Sequence, residues 1–249
     1  MIYRGFPDYM LDGVVRFLAA LLPLFERTPG AVADLRLYSA YRRAVADMRR
    51  DPRAAARSPY LGQTLANVIS AYRRASSDQA AAFEGLERIA TATRAFVPVE
   101  GTTAPKLRQR RVELALCGLV ETCAIAQAAH AVAGIKITSR DQADALRLRT
   151  GRLFTLAIDR AAERGGAHVQ RRLVTLAGWV TRDLIERGRP LSQIVAYETA
   201  VPLPAAVLVH KLYVDAGRMA ELVVHLLELV DVDHGDAHGR AGGPARLHE

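Results

Sequence analysis

The sequence is poor in the residues on which most catalytic and metal sites depend. Its 249 residues include two cysteines and one tryptophan, and aromatic side chains make up only 6%. It contains no glycine-rich phosphate loop, HExxH pair, nucleophile elbow or CxxC pair. We therefore expect no enzyme activity, no cofactor, no catalytic residue and no metal site.

The two cysteines predict neither a disulfide nor a zinc site. Cys117 and Cys123 lie six residues apart on one predicted helix, too far along its axis to be joined. No paired cysteine or histidine set accompanies them. We interpret both as small residues of a core or an interface.

Long apolar runs are also absent. The most apolar run near the N-terminus, residues 17–25, is short, is interrupted by Pro23 and lacks a small-residue cleavage site after it. No segment reaches the length that a bilayer requires. We expect neither an export signal nor a membrane span.

Alanine, leucine and arginine are abundant instead. Half of the residues are hydrophobic, and a chain rich in small side chains and poor in aromatics favours closely packed helices over a β-sandwich. The predicted fold class is mainly α: an antiparallel helical bundle with a small LysM-like strand-helix-helix unit near the C-terminus. The length allows a sizeable core and two units.

Residues 1–97 are predicted to form an N-terminal helical region. The second helix ends at Asp51-Pro52, and Ser76 with Gln79 forms a capping box for the fourth. The first helix begins near Asp8 and has an apolar face at helical spacing, formed by Leu11, Val14, Val15, Leu18, Leu21, Leu22 and Phe25.

Residues 97–105 are the best internal boundary, because prolines and a glycine interrupt the helical pattern there. Residues 103–189 are predicted to form a three-helix bundle. Its first helix ends near Gly134, and Ser139 with Gln142 caps the next. The apolar face predicted for the first helix consists of Val112, Leu116, Leu119, Cys123 and Ala126.

Residues 190–228 are predicted to form the LysM-like unit, which we expect to be incomplete. A short run, residues 193–197 (QIVAY), is typical of a strand, and Pro204 fits the first turn of a helix. The turn after this helix contains Leu212, Tyr213, Asp215 and Gly217. Strand, helix, turn and helix is the order in which a LysM module begins. Residues 229–249 are predicted to be a disordered tail.

Three landmarks carry a wider resemblance. Residues 102–105 (TTAP) precede an alanine-rich helix, residues 138–146 (TSRDQADAL) start another, and residues 203–218 follow the pattern LPxxVLxxxLYxDAGR. In this order they resemble the C-terminal half of the DNA circularisation protein of Mu-like phages, a tail and baseplate protein. The resemblance covers residues 101–223. The family's β-rich first domain and its closing strand have no counterpart in this sequence.

The resemblance implies a structural component of a Mu-like phage or prophage tail or baseplate. Such a protein acts in virion assembly and is associated with circularisation of injected DNA. The implied partners are other tail and baseplate proteins, and a homo-oligomer is left open. The implied location is the virion tail, after synthesis in the bacterial cytoplasm. A LysM-like module also suggests an alternative function, which is binding of peptidoglycan.

Basic residues suggest a further alternative, non-specific DNA binding. The chain has 34 lysines and arginines against 26 acidic residues, for a net charge of +8. We take Tyr41, Tyr60 and Tyr72 as stacking groups among the clusters. The simpler interpretation is an ordinary solvated helix face, since arginine is a good helix former. The candidate phosphate-binding residues are Arg42, Arg43, Arg49, Arg50, Lys106, Arg108, Arg110 and Arg111.

Glu113 and Glu121 fall two turns apart on one face of a predicted helix. Such a pair suggests acid and base chemistry, but the sequence supplies neither a cleft nor supporting groups around it. We therefore favour a salt-bridged helix face.

Overall fold

The computed structural model describes residues 8–27, 30–164 and 166–191. Within these ranges the chain forms eight α-helices and no strand beyond an isolated bridge between Val32 and Ser76. The prediction of a mainly α fold is confirmed. Of the predicted LysM-like unit, only Pro190 and Leu191 lie within the described residues, and the predicted tail lies outside them.

The helices follow one another with short connections. Their bounds are α1 Asp8–Phe25, α2 Leu35–Arg50, α3 Pro52–Arg57, α4 Leu61–Arg74, α5 Gln79–Ala95, α6 Ala104–Gly134, α7 Arg140–Glu163 and α8 Ala167–Gly188. The sequence predicted no helix at α3. Asp51 caps the N-terminus of this helix: its carboxylate accepts the backbone N–H of Ala54 at 2.8 Å, and Pro52 occupies the first turn.

Two predicted caps have different outcomes. Ser139 caps α7 as predicted, because its hydroxyl accepts the N–H of Gln142 at 3.1 Å. The cap of α5 is Asp78 and not Ser76, since the Asp78 carboxylate accepts the N–H of Ala81 at 3.0 Å. A carboxylate directly before the first turn also stabilises the helix, because its negative charge lies at the positive end of the helix dipole.

α6 is the central helix of the described residues and packs against α1, α4, α5, α7 and α8. Its buried apolar side chains are mostly small, which lets five neighbours approach one helix. They are Cys117, Val120, Ala124, Ile125, Ala128, Ala129, Ala131 and Val132. The predicted face of Val112, Leu116, Leu119, Cys123 and Ala126 lies beside these fully buried residues: all five are half-buried, and three of them, Val112, Leu116 and Cys123, pack against the core. A helix with neighbours on several sides has no single apolar stripe for the sequence to display.

The predicted boundary at residues 97–105 does not divide the described residues into two domains. α5 and α6, on either side of it, pack along each other, and residues 8–191 belong to one compact unit. α6, α7 and α8 occupy the range of the predicted three-helix bundle, but α6 is shared with the N-terminal helices. The interruption in the helical pattern is a connection within one core.

α6 is also long and apolar enough, by length and composition alone, to cross a membrane. The expectation that no segment reaches this length is therefore wrong. The charged residues of α6 end at Glu121, and the remainder of the helix is mostly alanine and other small apolar residues. Half of the most apolar window is buried inside the fold, as expected for a central helix of a bundle.

Gly85 lies where α5 meets the buried ring of Tyr72. A Cβ atom on residue 85 would lie 2.7 Å from two ring carbons of Tyr72. We expect Gly85→Ala to lower the free energy of unfolding by about 1–3 kcal/mol, the usual cost of overpacking a core. Urea unfolding followed by circular dichroism measures this change.

The control is Gly151→Ala in α7, where a Cβ would meet nothing within 4 Å. This variant should raise the free energy of unfolding by up to about 1 kcal/mol, because alanine is the better helix former. An equal loss in both variants would contradict the packing described for Gly85.

Candidate functional site

The first of two buried carboxylates, Glu113, joins α6 to α1 and to the segment before α6. Its side chain has no solvent exposure. One oxygen accepts from Arg16 at 2.8 Å and from the backbone N–H of Val99 at 2.6 Å, and the other accepts from Gln109 at 3.1 Å. The Arg16 guanidinium also lies over the ring of Phe96. These contacts fix three segments of the chain together.

The second carboxylate, Glu121, is surrounded by three arginines. Arg94 lies in α5, Arg160 lies in α7, and Arg164 is the residue that follows α7. Oε1 accepts from Arg94 Nε at 2.6 Å, and Oε2 lies 3.2 Å from Arg164 Nη1 and 3.7 Å from Arg160 Nε. Arg94 also donates to the carbonyl oxygen of Leu153 in α7 at 2.9 Å. The cluster therefore ties α5, α6 and α7 together, and three cations share one buried anion.

The salt-bridged interpretation of Glu113 and Glu121 is confirmed. Acid and base chemistry needs a carboxyl group that reaches a substrate, whereas each of these carboxylates is closed from solvent and bound by arginine. Sequence reasoning missed the partners, because Arg16 is separated from Glu113 by 97 positions. Helical spacing along one helix carries no information about a contact of that range.

Four of the candidate phosphate-binding residues lie on α2. Arg42, Arg49 and Arg50 line a depression of about 670 Å³ together with Glu26, and Arg43 is exposed nearby on the same helix. Glu26 forms an ion pair with Arg49, and its backbone carbonyl accepts from Arg42 at 2.8 Å. One carboxylate therefore faces three cations, and the depression carries surplus positive charge.

The other four candidates lie at the beginning of α6. Lys106, Arg108, Arg110 and Arg111 are all exposed, and none forms an ion pair with another residue that the structure describes. The first turn of α6 holds no acidic residue. Cations near a helix N-terminus are unfavourable, so an anion here would be stabilised. The two sets of basic residues lie on different helices, α2 and α6, which both pack against α1 and α4.

The predicted stacking role of two tyrosines is wrong. Tyr41 and Tyr72 are only 2% and 1% exposed and lie in the core, with ring centroids 5.8 Å apart. The Tyr41 hydroxyl donates to the carbonyl oxygen of Phe25. Burial raises the pKa of both hydroxyls. Tyr60 remains exposed, so only one of the three rings is accessible to a base.

The remaining predicted site residues are not placed. Leu212, Tyr213, Asp215 and Gly217, the predicted LysM-like turn, lie outside the described residues. Among residues 8–27, 30–164 and 166–191, no group of three histidine, cysteine or acidic side chains is arranged to hold a metal ion.

Sequence reasoning also missed an apolar surface on the hairpin of α7 and α8. We call the solvent-facing side of this hairpin the outer face. Four large apolar side chains lie on it, and each is about half exposed or more. They are Leu148, Leu156, Val174 and Ile185. Trp179 is even more exposed, and lines a separate depression of about 270 Å³ between α8 and the end of α6. An apolar residue on an amphipathic helix looks the same in sequence whether its neighbour is its own core or another molecule.

No protein-family model matches this sequence, and no curated protein matches it. The resemblance to the phage family stays a prediction that rests on its three landmarks.

Removing the charge of Glu121 tests the arginine cluster. We expect Glu121→Gln to lower the free energy of unfolding by about 3–5 kcal/mol, because it leaves part-buried arginines without their carboxylate. Urea unfolding measures the loss. Glu186→Gln, which removes an exposed partner of Arg182, is the matched control and should change stability by less than about 1 kcal/mol. Similar small losses in both would show that the cluster contributes little.

The Cys117 thiol is expected to be unreactive in the folded chain. Burial raises its pKa from 9.0 to about 11. Since the thiolate is the reactive form, the change in pKa alone slows its reaction with Ellman's reagent at pH 8 by about a hundredfold relative to the unfolded chain. The rate should rise with pH up to about 11.

The thiol rate is measured on Cys123→Ser, which leaves Cys117 as the single thiol. Cys117→Ser is the matched control and leaves the half-buried Cys123. Equal rates of Cys117 in buffer and in urea would contradict its burial.

Proposed function

We propose that this chain is a structural protein of a Mu-like phage or prophage tail or baseplate, acting in virion assembly by contact with neighbouring tail proteins. The proposal is supported by the three sequence landmarks and by a described unit in which the buried charges serve packing. The LysM-like segment at residues 190–228 is part of this proposal, as a second region that contacts tail subunits. Association with circularisation of injected DNA follows from the resemblance alone.

The observation that carries the proposal is the exposed Trp179 of α8 with the depression beside it. Trp179 is 69% exposed beside a depression lined by Ala129, His130 and Leu176. Tryptophan is among the residues most enriched at the positions that dominate binding energy at protein interfaces. A depression of about 270 Å³ suits one side chain of a partner better than a small-molecule substrate.

Co-expression of the tagged full chain with the tail proteins encoded beside it tests this function. We expect the tagged chain to retain at least one of them through affinity purification, and Trp179→Ser to reduce the amount retained about tenfold or more. Tyr60→Ser is the matched control, because Tyr60 is 71% exposed in another part of the described chain. Retention of no tail protein by the wild-type chain would contradict the proposal.

DNA binding is a second candidate function, favoured by the first two turns of α6. Lys106, Arg108, Arg110 and Arg111 are exposed there without an acidic partner among the described residues. Neutralising DNA phosphates would release counterions and would relieve the repulsion between these cations and the helix N-terminus.

Binding to random-sequence double-stranded DNA at several salt concentrations tests the second candidate. Substitution of Arg108, Arg110 and Arg111 by glutamine should weaken binding and make it less dependent on salt. The control replaces Arg53, Arg57 and Arg182 by glutamine. It removes the same charge from arginines that already lie near acidic side chains. Equal weakening by both triple variants would show only an effect of net charge.

A further inference from the structure

The outer face of α7 and α8 combines apolar side chains with open space for another helix. The two helices are antiparallel: the Cβ of Ala143, near the start of α7, would lie 2.7 Å from a Cβ on Gly188 at the end of α8. A Cβ on Gly178, in the middle of α8, would meet nothing within 4 Å. A helix from another molecule can therefore approach α8 closely at this point.

The apolar side chains of the outer face occur in matched positions on the two helices. Leu148 in α7 and Ile185 in α8 lie towards the end where Ala143 meets Gly188, and Leu156 and Val174 lie towards the other end. Each is about half exposed or more. Four such side chains on one hairpin form a surface that a second hairpin of the same shape would cover.

At each end of the hairpin, an acidic residue of α7 lies level with a basic residue on or next to α8. Near the connection between them, α7 carries the exposed Asp159 and α8 carries the exposed Arg171. At the opposite end, α7 carries Asp141 and α8 is followed by the exposed Arg189. Each end of the hairpin therefore has an acid on α7 and a base on or next to α8. Arg152 of α7 lies level with Gly178.

We infer that the outer face binds a second copy of this chain in a two-fold dimer, in which α7 of each copy packs on α8 of the other. This inference names one partner for the assembly role proposed above and rests on that role. A two-fold interface is self-complementary, so one surface must carry both members of each contact. The outer face does so for its apolar side chains and for its charges.

The charge pattern selects one of two symmetric arrangements. A two-fold axis parallel to the helices places Asp159 beside Arg171 of the partner subunit and Leu148 beside Ile185 of the partner subunit. An axis across the helices would instead pack α7 on α7 and α8 on α8, and would bring the exposed Arg171 towards Arg189 of the partner subunit, which is repulsive. In the first arrangement every neighbouring helix pair is antiparallel, as in an up-down four-helix bundle.

Complementary charge reversals test this arrangement in the full chain by sedimentation velocity at low salt. The wild-type chain should form a dimer. Asp159→Arg and Arg171→Asp should each weaken it about tenfold or more, since each places like charges opposite each other. An equimolar mixture of the two variants should restore the dimer, because the introduced arginine of one variant then faces the introduced aspartate of the other. A wild-type monomer, or a mixture that stays as weak as its components, overturns the inference.

Apolar variants give a second, independent measurement. Leu148→Ser with Ile185→Ser should weaken the dimer about tenfold or more, whereas Tyr60→Ser, at an exposed ring away from this surface, should not. Equal effects of both would overturn the inference. A chain that dimerises but retains no tail protein contradicts the proposed function alone, and a monomer that retains tail proteins contradicts the dimer alone.

Discussion

The structure depends on two carboxylates that α6 carries into the core. Glu113 and Glu121 cannot be left unpaired at their depth, because an isolated buried charge costs several kcal/mol. Their partners come from α1, α5 and α7, so the ion pairs join α6 to three of its five neighbours. The small side chains around them allow close approach but would tolerate several registers. Our hypothesis is that packing supplies most of the stability and that the ion pairs select the arrangement.

Neither carboxylate pairs with a residue of α4 or of α8, so α8 is held in the fold by other contacts. Its main partner is α7, and its contact with the end of α6 includes Arg187, which donates to the carbonyl oxygen of Val132 at 3.1 Å. This carbonyl also accepts the backbone N–H of Ile135 at 3.2 Å, so Arg187 adds a second hydrogen bond at the C-terminal end of α6. The α7–α8 hairpin thus closes the unit on one side and presents exposed apolar side chains on the other. A surface of this kind is expected of a protein that acts by assembly.

The parts of the fold that depend on local chemistry were predictable from sequence. The apolar face of α1, the end of α2 at Asp51 and the Ser139 cap of α7 all follow from residues within a few positions of each other. The face of α6 was not predictable, because five helices contact it and its pattern has no single period. The cap of α5 was misassigned by two residues, since Ser76 and Asp78 are both good capping residues.

The candidate sites divide in the same way. A salt-bridged role for Glu113 and Glu121 followed from their spacing, but their partners did not, because those contacts join distant parts of the chain. The exposure of the basic residues at the start of α6 was expected from their charge. The burial of Tyr41 and Tyr72 was not, since a tyrosine among arginines fits a core as well as a surface. The outer face of α7 and α8 required knowledge of which side of each helix the core already uses.

The central claim is that the chain acts through protein contacts made by α7 and α8. Hydrogen–deuterium exchange of the full chain, at protein concentrations differing by about a hundredfold, tests it most directly. At the higher concentration the account predicts slower amide exchange in Arg140–Glu163 and Ala167–Gly188, with α2 and the start of α6 unchanged, because association blocks the local openings that allow exchange. Unchanged exchange in both helices, or slower exchange confined to α2 and the start of α6, would contradict it.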